Sequence, residues 1–482
     1  MRVSSLALAA TTVPLASAIN LAPRSANPRV VGLDINRRNV PDLVAHDRAR
    51  FQKRANVIQE TLDNELTLYY ANLTLGTPAQ SLQVSIDTGS SDLWVNSASS
   101  SICRSARGGC DGGTYSQSAS SSSRTINQEF NISYVDGSGA AGPYVGDTLS
   151  FGGVTIDDFQ FGVGQTSTSS MGVLGVGYQV IEVQVNRAGG EAYPNLPQAL
   201  LNDGHIDHLA YSLWLNDLDS STGSILFGGV DSAKYEGNLV TVPILSSGGV
   251  YFELAVALSG VSFGGKSMAG TNELPIAVVL DSGTSLIYLP QDIVTNIYNQ
   301  VNIVLENGTP YAYCEDANTN KNLTFTFSGQ TINVPLNELY ISVGTDASGR
   351  PATFQNGKEA CIFGIASSGS STPLLGDTFL RSAYVVYDLQ DNQISLAQTD
   401  FNSTTTNVRE IVNGTTPVPG AVAASTTISS VHNVATGGAR LGGASGTSSV
   451  SATPTGGAST AGVPVVLGAA AAGVAGMMVF AL

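Results

Sequence analysis

Two short motifs in this chain could support chemistry by paired carboxyl groups. Asp87-Thr88-Gly89 and Asp281-Ser282-Gly283 are its only Asp-Ser/Thr-Gly triplets, and both lie between apolar runs. Burying an ionised aspartate is costly, so two of them in matching settings indicate a function beyond packing. Two carboxyl groups within hydrogen-bonding distance cannot both ionise readily and would share a proton. Such a pair can activate a water on one side while it protonates a carbonyl oxygen on the other.

An internal repeat indicates how the two motifs are positioned. The segment 84–95 aligns with the segment 278–289, with apolar residues before each aspartate and again after it. A second repeat follows, because Val173-Leu174-Gly175 succeeds the first motif much as Leu374-Leu375-Gly376 succeeds the second. The repeat predicts two similar β lobes, residues 55–217 and 218–401, that face each other across a cleft.

The composition favours strands and turns over long helices. Glycine is abundant, with 53 residues, and charged residues make up only 12% of the chain. Alternating apolar segments predict strands, for example at 66–75, 128–134 and 250–261. Helices are expected only at 195–202 and 291–306. The fold class predicted is therefore mainly β.

Taken together, these motifs resemble the pepsin family of aspartic proteases. The resemblance spans about residues 66–400 and includes Ile225-Leu-Phe-Gly-Gly-Val-Asp231, Leu375-Gly-Asp-Thr-Phe-Leu-Arg381 and Tyr384-Val-Val-Tyr-Asp388. It implies a bilobal fold around a substrate cleft and an endopeptidase that hydrolyses peptide bonds at acidic pH, with Asp87 and Asp281 as the catalytic pair. The chain is most similar to the fungal yapsins, which carry a glycosylphosphatidylinositol (GPI) anchor, and to candidapepsin-like enzymes.

The resemblance also implies roles for neighbouring residues. The supporting residues of the two turns are Thr88, Gly89, Ser90, Ser282, Gly283 and Thr284. A flap hairpin that closes over the substrate would contain Tyr134, Asp136, Gly137 and Ser138, with Trp94 as the packing partner of the tyrosine. Asp136 could favour a basic substrate side chain, or it could be an ordinary hairpin-turn residue before glycine; both readings stay open.

The N-terminal region is typical of a secreted zymogen. Residues 1–18 place Arg2 before an apolar stretch that ends in small residues, which predicts a signal peptide. Residues 19–54 end in Lys53-Arg54, which predicts a propeptide removed by a dibasic-processing protease. Residues 1–54 contain nine of the 21 basic and three of the 37 acidic side chains, so a basic pro-segment precedes an acidic enzyme. Charge would help to hold the two together.

Cysteines and sequons agree with passage through the secretory pathway. An even count of four cysteines predicts two disulfides. Three pairings are possible, and we prefer Cys103 with Cys110 and Cys314 with Cys361 because they close short loops. Six Asn-x-Ser/Thr sequons are candidate glycosylation sites, at Asn72, Asn131, Asn307, Asn322, Asn402 and Asn413.

The C-terminal region is typical of a surface-anchored protein. Residues 402–462 form a Ser/Thr/Gly-rich tract, which we interpret as a stalk without a folded core. Residues 463–482 are apolar and uncharged. Small residues, a polar spacer and an apolar tail predict a GPI-anchor signal, and so localisation at the plasma membrane or cell wall, with shedding as a further outcome.

Other kinds of function have less support in the sequence. Ser-His-Asp catalysis lacks a Gly-x-Ser-x-Gly elbow, and His205-Ile-Asp-His208 lacks further zinc ligands. A glycosidase also uses two carboxylates but would not require repeated Asp-Ser/Thr-Gly turns. A catalytically idle binding or wall-structural protein on the same fold remains the alternative. We expect a monomer that acts on peptide or protein substrates and needs neither metal nor cofactor; the acidic charge makes nucleic acid an unsuitable partner.

Overall fold

We describe the protein from a computed structural model. The described residues are 29–39, 67–105, 109–134, 138–220, 222–268, 274–306, 308–344, 350–369 and 371–432. The predicted signal peptide, the dibasic site, Asp136, Gly137, Asn307 and the predicted anchor tail lie outside them. Among the described residues, no helix is long and apolar enough to cross a membrane.

Strands dominate the described part of the chain. The first eleven are β1 (Val31–Asn39), β2 (Thr67–Leu75), β3 (Gln80–Asp87), β4 (Leu93–Asn96), β5 (Arg124–Ser133), β6 (Gly139–Phe151), β7 (Val154–Gly164), β8 (Thr166–Ser167), β9 (Gly172–Gly175), β10 (Ala210–Trp214) and β11 (Thr222–Phe227). The next ten are β12 (Gly229–Asp231), β13 (Tyr235–Pro243), β14 (Ala255–Leu258), β15 (Gly260–Phe263), β16 (Lys266–Ser267), β17 (Ile276–Leu280), β18 (Ile287–Leu289), β19 (Val304–Glu306), β20 (Thr309–Tyr313) and β21 (Asn322–Phe327). The last nine are β22 (Gln330–Pro335), β23 (Tyr340–Ser342), β24 (Ala360–Phe363), β25 (Ile365–Ser367), β26 (Leu374–Leu375), β27 (Ala383–Asp388), β28 (Gln393–Thr399), β29 (Val408–Glu410) and β30 (Ala421–Ala423).

Helices are short and few. They are α1 (Val183–Ala188), α2 (Leu196–Asn202), α3 (Gln291–Tyr298), α4 (Leu336–Leu339) and α5 (Asp377–Leu380). Asn195 caps α2, because its side chain accepts a hydrogen bond from the Gln198 amide. The helix predicted at 291–306 was too long: it ends at Tyr298, and the Asn-Gly pair that follows Glu306 turns β19 into β20 as a hairpin.

The strand pairing shows the repeat that the sequence predicted. In the first half, β3 pairs in parallel with β9, β9 pairs antiparallel with β4, and β4 pairs in parallel with β7. In the second half, β17, β26, β18 and β25 pair in the same order with the same directions. Every residue of β17 is buried, as expected of an apolar strand covered on both faces. The mainly β, bilobal fold class is thus confirmed.

A fifteen-stranded sheet joins the two halves. Its order is β30-β13-β28-β27-β10-β11-β1-β2-β3-β9-β4-β7-β6-β5, and β8 pairs with β6 beside this path. Strand β1, which belongs to the predicted propeptide, pairs with β11 on one side and with β2 on the other. The predicted propeptide therefore contributes a central strand.

The folded structure extends beyond residue 401, where we expected the stalk to begin. Strand β29 pairs with β12, and β30 pairs in parallel with β13. Ile411 is completely buried and Val418 nearly so. The predicted boundary at 402 is too early, because a few apolar residues within the polar tract are enough to pack residues 402–432 against the body.

Candidate active site

Asp87 is the last residue of β3 and Asp281 directly follows β17, and both are buried, with 2% and 0% of their surface exposed. Asp87 accepts hydrogen bonds from the Gly89 amide at 2.8 Å and from the Ser90 hydroxyl at 2.6 Å. Asp281 accepts the matching bonds from the Gly283 amide, at 3.1 Å, and from the Thr284 hydroxyl. Each carboxyl group is therefore oriented by its own turn in the same way.

Reciprocal hydrogen bonds hold the two turns together. The Thr88 hydroxyl donates to the Leu280 carbonyl and accepts from the Ser282 amide, both at 3.0 Å. The Ser282 hydroxyl donates to the Ile86 carbonyl at 3.0 Å and accepts from the Thr88 amide at 3.2 Å. All four groups are buried, so these bonds are protected from competing water.

Three glycines allow the close approach of these segments. A β-carbon on Gly283 would stand 2.3 Å from Oδ1 of Asp87, so the second turn lies directly against the first carboxyl group. A β-carbon on Gly175 would stand 2.4 Å from the Ser91 amide, and one on Gly376 would stand 2.2 Å from the Thr284 carbonyl. The glycines of the second sequence repeat therefore let β9 and β26 pass against the aspartate turns.

The flap tyrosine predicted from the sequence lies beside its predicted partner. Tyr134 follows β5 and is largely buried, and its hydroxyl accepts a hydrogen bond from the indole nitrogen of Trp94 at 2.8 Å. The Tyr134 amide donates to the Ser138 carbonyl at 2.8 Å. The structure thus brings Tyr134, Trp94 and Ser138 together, while Asp136 and Gly137 lie outside the described residues.

A buried polar network behind this pair was missed by the sequence reasoning. Asp92 accepts hydrogen bonds from the Tyr144 hydroxyl at 2.6 Å, the Tyr193 hydroxyl at 2.9 Å and the Val183 amide at 2.9 Å. Burial, followed by the charge of Asp92, raises the pKa of both tyrosines. A signal was present in the sequence, because Asp92 is a charged residue directly before the apolar run Leu93-Trp94-Val95.

The four cysteines form the two disulfides of the preferred pairing, Cys103–Cys110 and Cys314–Cys361. Both bridges lie away from the aspartate turns in sequence, and the second joins the start of a short helical turn to β24. The sequon residues Asn72, Asn131, Asn322, Asn402 and Asn413 are all exposed.

Two aspartate turns with matched hydrogen bonds, joined to each other on a repeated β architecture, form an arrangement that suits an aspartic protease. A family profile described as "Eukaryotic aspartyl protease" matches residues 68–399. The chain belongs to the eukaryotic aspartyl protease family and is an aspartic-type endopeptidase.

Three of the similar proteins come from fungi. The chain is 52% identical over 463 residues to a probable aspartic-type endopeptidase opsB of Aspergillus oryzae, covering 92% of this chain and 93% of that one. It is 36% identical to secreted aspartic protease 1 of Candida albicans, over 81% of this chain and 95% of the relative. The crystal structure of the aspartic proteinase from Irpex lacteus shares the fold, with a TM-score of 0.58 and 22% identity, and covers 78% of this chain and 100% of its own.

Proposed function

We propose that Asp87 and Asp281 together hydrolyse peptide bonds by general acid/base activation of a water molecule. One carboxyl group, ionised, takes a proton from the water, while the other, protonated, donates to the carbonyl oxygen of the scissile bond. The observation that carries this proposal is the reciprocal bonding of Thr88 and Ser282, which fixes the two turns with Gly283 against Asp87. The mechanism needs one protonated and one ionised carboxyl group. Paired carboxyl groups in general share a proton in this way at acidic pH, so we expect activity there.

Replacing either aspartate by asparagine tests this mechanism. Asp87→Asn and Asp281→Asn keep the side-chain shape but remove the titrating group, so cleavage of a peptide library at acidic pH should fall by roughly a thousandfold or more. Asp292→Asn, an exposed change at the start of α3, is the control and should retain full activity. Full activity in either site variant, with an unchanged Tm, would refute the pair. The catalytically idle alternative instead predicts no cleavage by the unsubstituted protein.

We propose further that the enzyme is made as a secreted zymogen. Support comes from the signal-peptide pattern of residues 1–18, the basic segment 19–54 that ends in Lys53-Arg54, and two disulfides in the described structure. The exposed sequon residues are accessible to N-glycosylation. A similar protein is named a secreted aspartic protease, which supports the same route for this chain.

The proposed place of action is the cell surface. The small-residue and polar tract followed by the uncharged residues 463–482 supports a GPI anchor. Release of the protein from membranes by a phosphoinositide-specific phospholipase is the expected result. A membrane-bound form that resists this enzyme would contradict the anchor. A preference for basic residues near the scissile bond, through Asp136, remains part of the proposal.

A further inference from the structure

A pocket of about 320 Å³ lies beside the strand that leads to Asp281. Its floor includes Ala255 of β14 and Ala277 of β17, two neighbouring strands in which Ala255 lies opposite Val279. Side chains alternate along a strand, so Ala277, Val279 and Asp281 point to the same side. Asp281 is four residues beyond Ala277, which at ~3.3 Å per residue is about 13 Å. The pocket and the catalytic carboxyl group therefore share one face of the sheet.

Contacts with both aspartate loops tie the pocket to the cleft. The Leu280 amide donates to the Leu254 carbonyl at 3.1 Å, which joins the pocket loop to the residue before Asp281. The ring of Tyr251, in the pocket wall, packs against Tyr178 with centroids 6.2 Å apart. The Tyr178 carbonyl in turn accepts a hydrogen bond from the Ser91 hydroxyl at 2.7 Å, four residues after Asp87.

The opposite wall is built by the C-terminal segment that lies outside the family match. Ser429, Ser430 and Val431 line the pocket, whereas the match to the eukaryotic aspartyl proteases ends at residue 399. Backbone hydrogen bonds from Ala424 to Thr241 and from His432 to Pro275, both at 3.0 Å, hold this segment along the second half of the molecule. The wall is thus part of the folded enzyme.

The lining selects a chemical class of occupant. Glu253 is the single carboxylic acid among the described residues that line the pocket, and it is half-buried. Four serines add further hydrogen-bonding groups, namely Ser246, Ser247, Ser429 and Ser430. A pocket lined by a carboxylate and by serines favours a long side chain with a cationic, hydrogen-bond-donating end.

We propose that this pocket is a distal substrate subsite, in which Glu253 and the segment Ser429–Val431 bind a lysine or arginine side chain of the substrate. An extended substrate advances ~3.4 Å per residue, so the recognised side chain lies about four residues from the scissile bond. The subsite rests on the proposed function, because it needs a peptide held across Asp87 and Asp281. It adds a specificity determinant that the flap does not supply.

The test compares the cleavage of long and short peptides by the processed enzyme, which retains the C-terminal segment. Each peptide of the set carries one lysine, placed at one of the positions two to five residues from the scissile bond on either side. The controls are a parent peptide with alanine at all these positions and a short peptide that cannot reach the pocket. The unsubstituted enzyme should favour lysine at one distal position. Glu253→Gln should lower kcat/KM for that peptide by roughly tenfold, because a charge-assisted hydrogen bond is lost. Activity on the short peptide should not change.

Three further variants separate an effect of the pocket from general effects on activity. Glu236→Gln removes an exposed charge from β13 without touching the pocket and should keep the distal lysine preference. Ser430→Phe should fill the pocket and lower kcat/KM for long peptides, whereas Thr427→Phe, exposed in the same segment, should not. A lysine preference that survives Glu253→Gln would overturn the subsite, as would an equal loss on short and long peptides. Failure of the unsubstituted enzyme to cleave any peptide would instead refute the proposed function.

Discussion

Glu182 is a buried acid that the catalytic mechanism does not use. Its side chain is fully buried, Oε2 accepts the Tyr193 amide at 3.0 Å, and Oε1 has no hydrogen-bond partner among the described residues. Burial raises the pKa of Glu182 to about 9; the Tyr193 hydrogen bond opposes the shift and the charge of Asp92 adds to it. Glu182 is therefore protonated in the folded enzyme at acidic and neutral pH.

This raised pKa predicts a loss of stability as the pH rises. In the unfolded chain the carboxyl group ionises above its usual value near 4.5, whereas in the folded chain it stays protonated up to about 9. The unfolded state thus binds fewer protons in this window, and the free energy of unfolding falls with pH. Glu182→Gln mimics the protonated form and should remove this dependence.

Thermal unfolding measured at two pH values tests the prediction. At pH 4 the variant and the unsubstituted protein should have similar Tm values, while at pH 7.5 the variant should be more stable by about 5 °C. Glu191→Gln, an exposed change in the same segment, should leave both values unchanged. Equal Tm values at pH 7.5 would mean that Glu182 does not limit stability there.

At the scale of elements, His208 attaches the C-terminal segment 402–432 to the rest of the fold. Its Nε2 lies 2.8 Å from Oδ1 of Asp388, and its Nδ1 lies 2.9 Å from Oδ1 of Asn413. The Asn413 amide is oriented by two further bonds, because Oδ1 accepts from Gln390 and Nδ2 donates to the Asp207 carbonyl. With an acceptor at each ring nitrogen, only the doubly protonated imidazolium satisfies both contacts.

Docking of this segment should therefore weaken as the pH rises. Burial alone would lower the pKa of His208, but hydrogen bonds to Asp388 and Asn413 and the charges of Asp388 and Asp391 raise it above the usual value near 6.5. A raised pKa means that the stabilisation is complete below about 6.5 and is lost as the pH passes the folded-state value. The other charged groups at this corner, Arg29, Asp207 and Glu410, pair with each other.

Limited proteolysis of the segment 402–432 measures this effect. Cleavage of the unsubstituted protein should increase as the pH is raised from 5 to 8, whereas His208→Gln should show a high and nearly pH-independent rate. His205→Gln changes a nearby histidine that makes none of these hydrogen bonds. It is the control and should behave like the unsubstituted protein. If His208→Gln shows the same pH dependence as the unsubstituted protein, the His208 imidazolium does not hold the segment in place.

The sequence predicted most of the elements that carry the site, because their signals are local. Strand β2 was expected at 66–75 and lies at Thr67–Leu75, and the two Asp-Ser/Thr-Gly turns follow buried strands as the repeat required. What it could not supply were the hydrogen bonds that join the two turns. The carbonyl groups of Leu280 and Ile86 accept the hydroxyl groups of the opposite turns, and a backbone carbonyl has no sequence signature.

The C-terminal segment was missed for a different reason. Its composition is that of a spacer, and the few residues that pack, such as Ile411 and Val418, are too widely separated to form a periodic pattern. Only the surface offered by β12 and β13 makes those residues part of the fold. Tertiary contacts therefore decide the structure where local propensity is weak.

At the scale of the whole molecule, strand β1 links the two halves. It lies between β11 and β2, and Val31, Leu33 and Ile35 are buried in the core. Arg29, just before the strand, pairs with Asp207 and lies 3.6 Å from Glu410. Both backbone pairing and charge thus attach a segment that precedes the proposed processing site at Lys53-Arg54.

Cutting the chain after Arg54 should therefore not release the propeptide at neutral pH. Pairing on two sides and the burial of three apolar side chains should keep the cut segment bound, so that it co-elutes with the enzyme in size-exclusion chromatography and is found there by mass spectrometry. The enzyme loses net negative charge at acidic pH, which weakens its attraction for the basic pro-segment, so the segment should dissociate at low pH as peptidase activity appears. Ile35→Asp places a charge in the core and should release the cut segment without acid, whereas Asp34→Asn, on the exposed side of the same strand, should not. Loss of the segment immediately on cleavage at neutral pH would show that β1 is held only by its covalent connection.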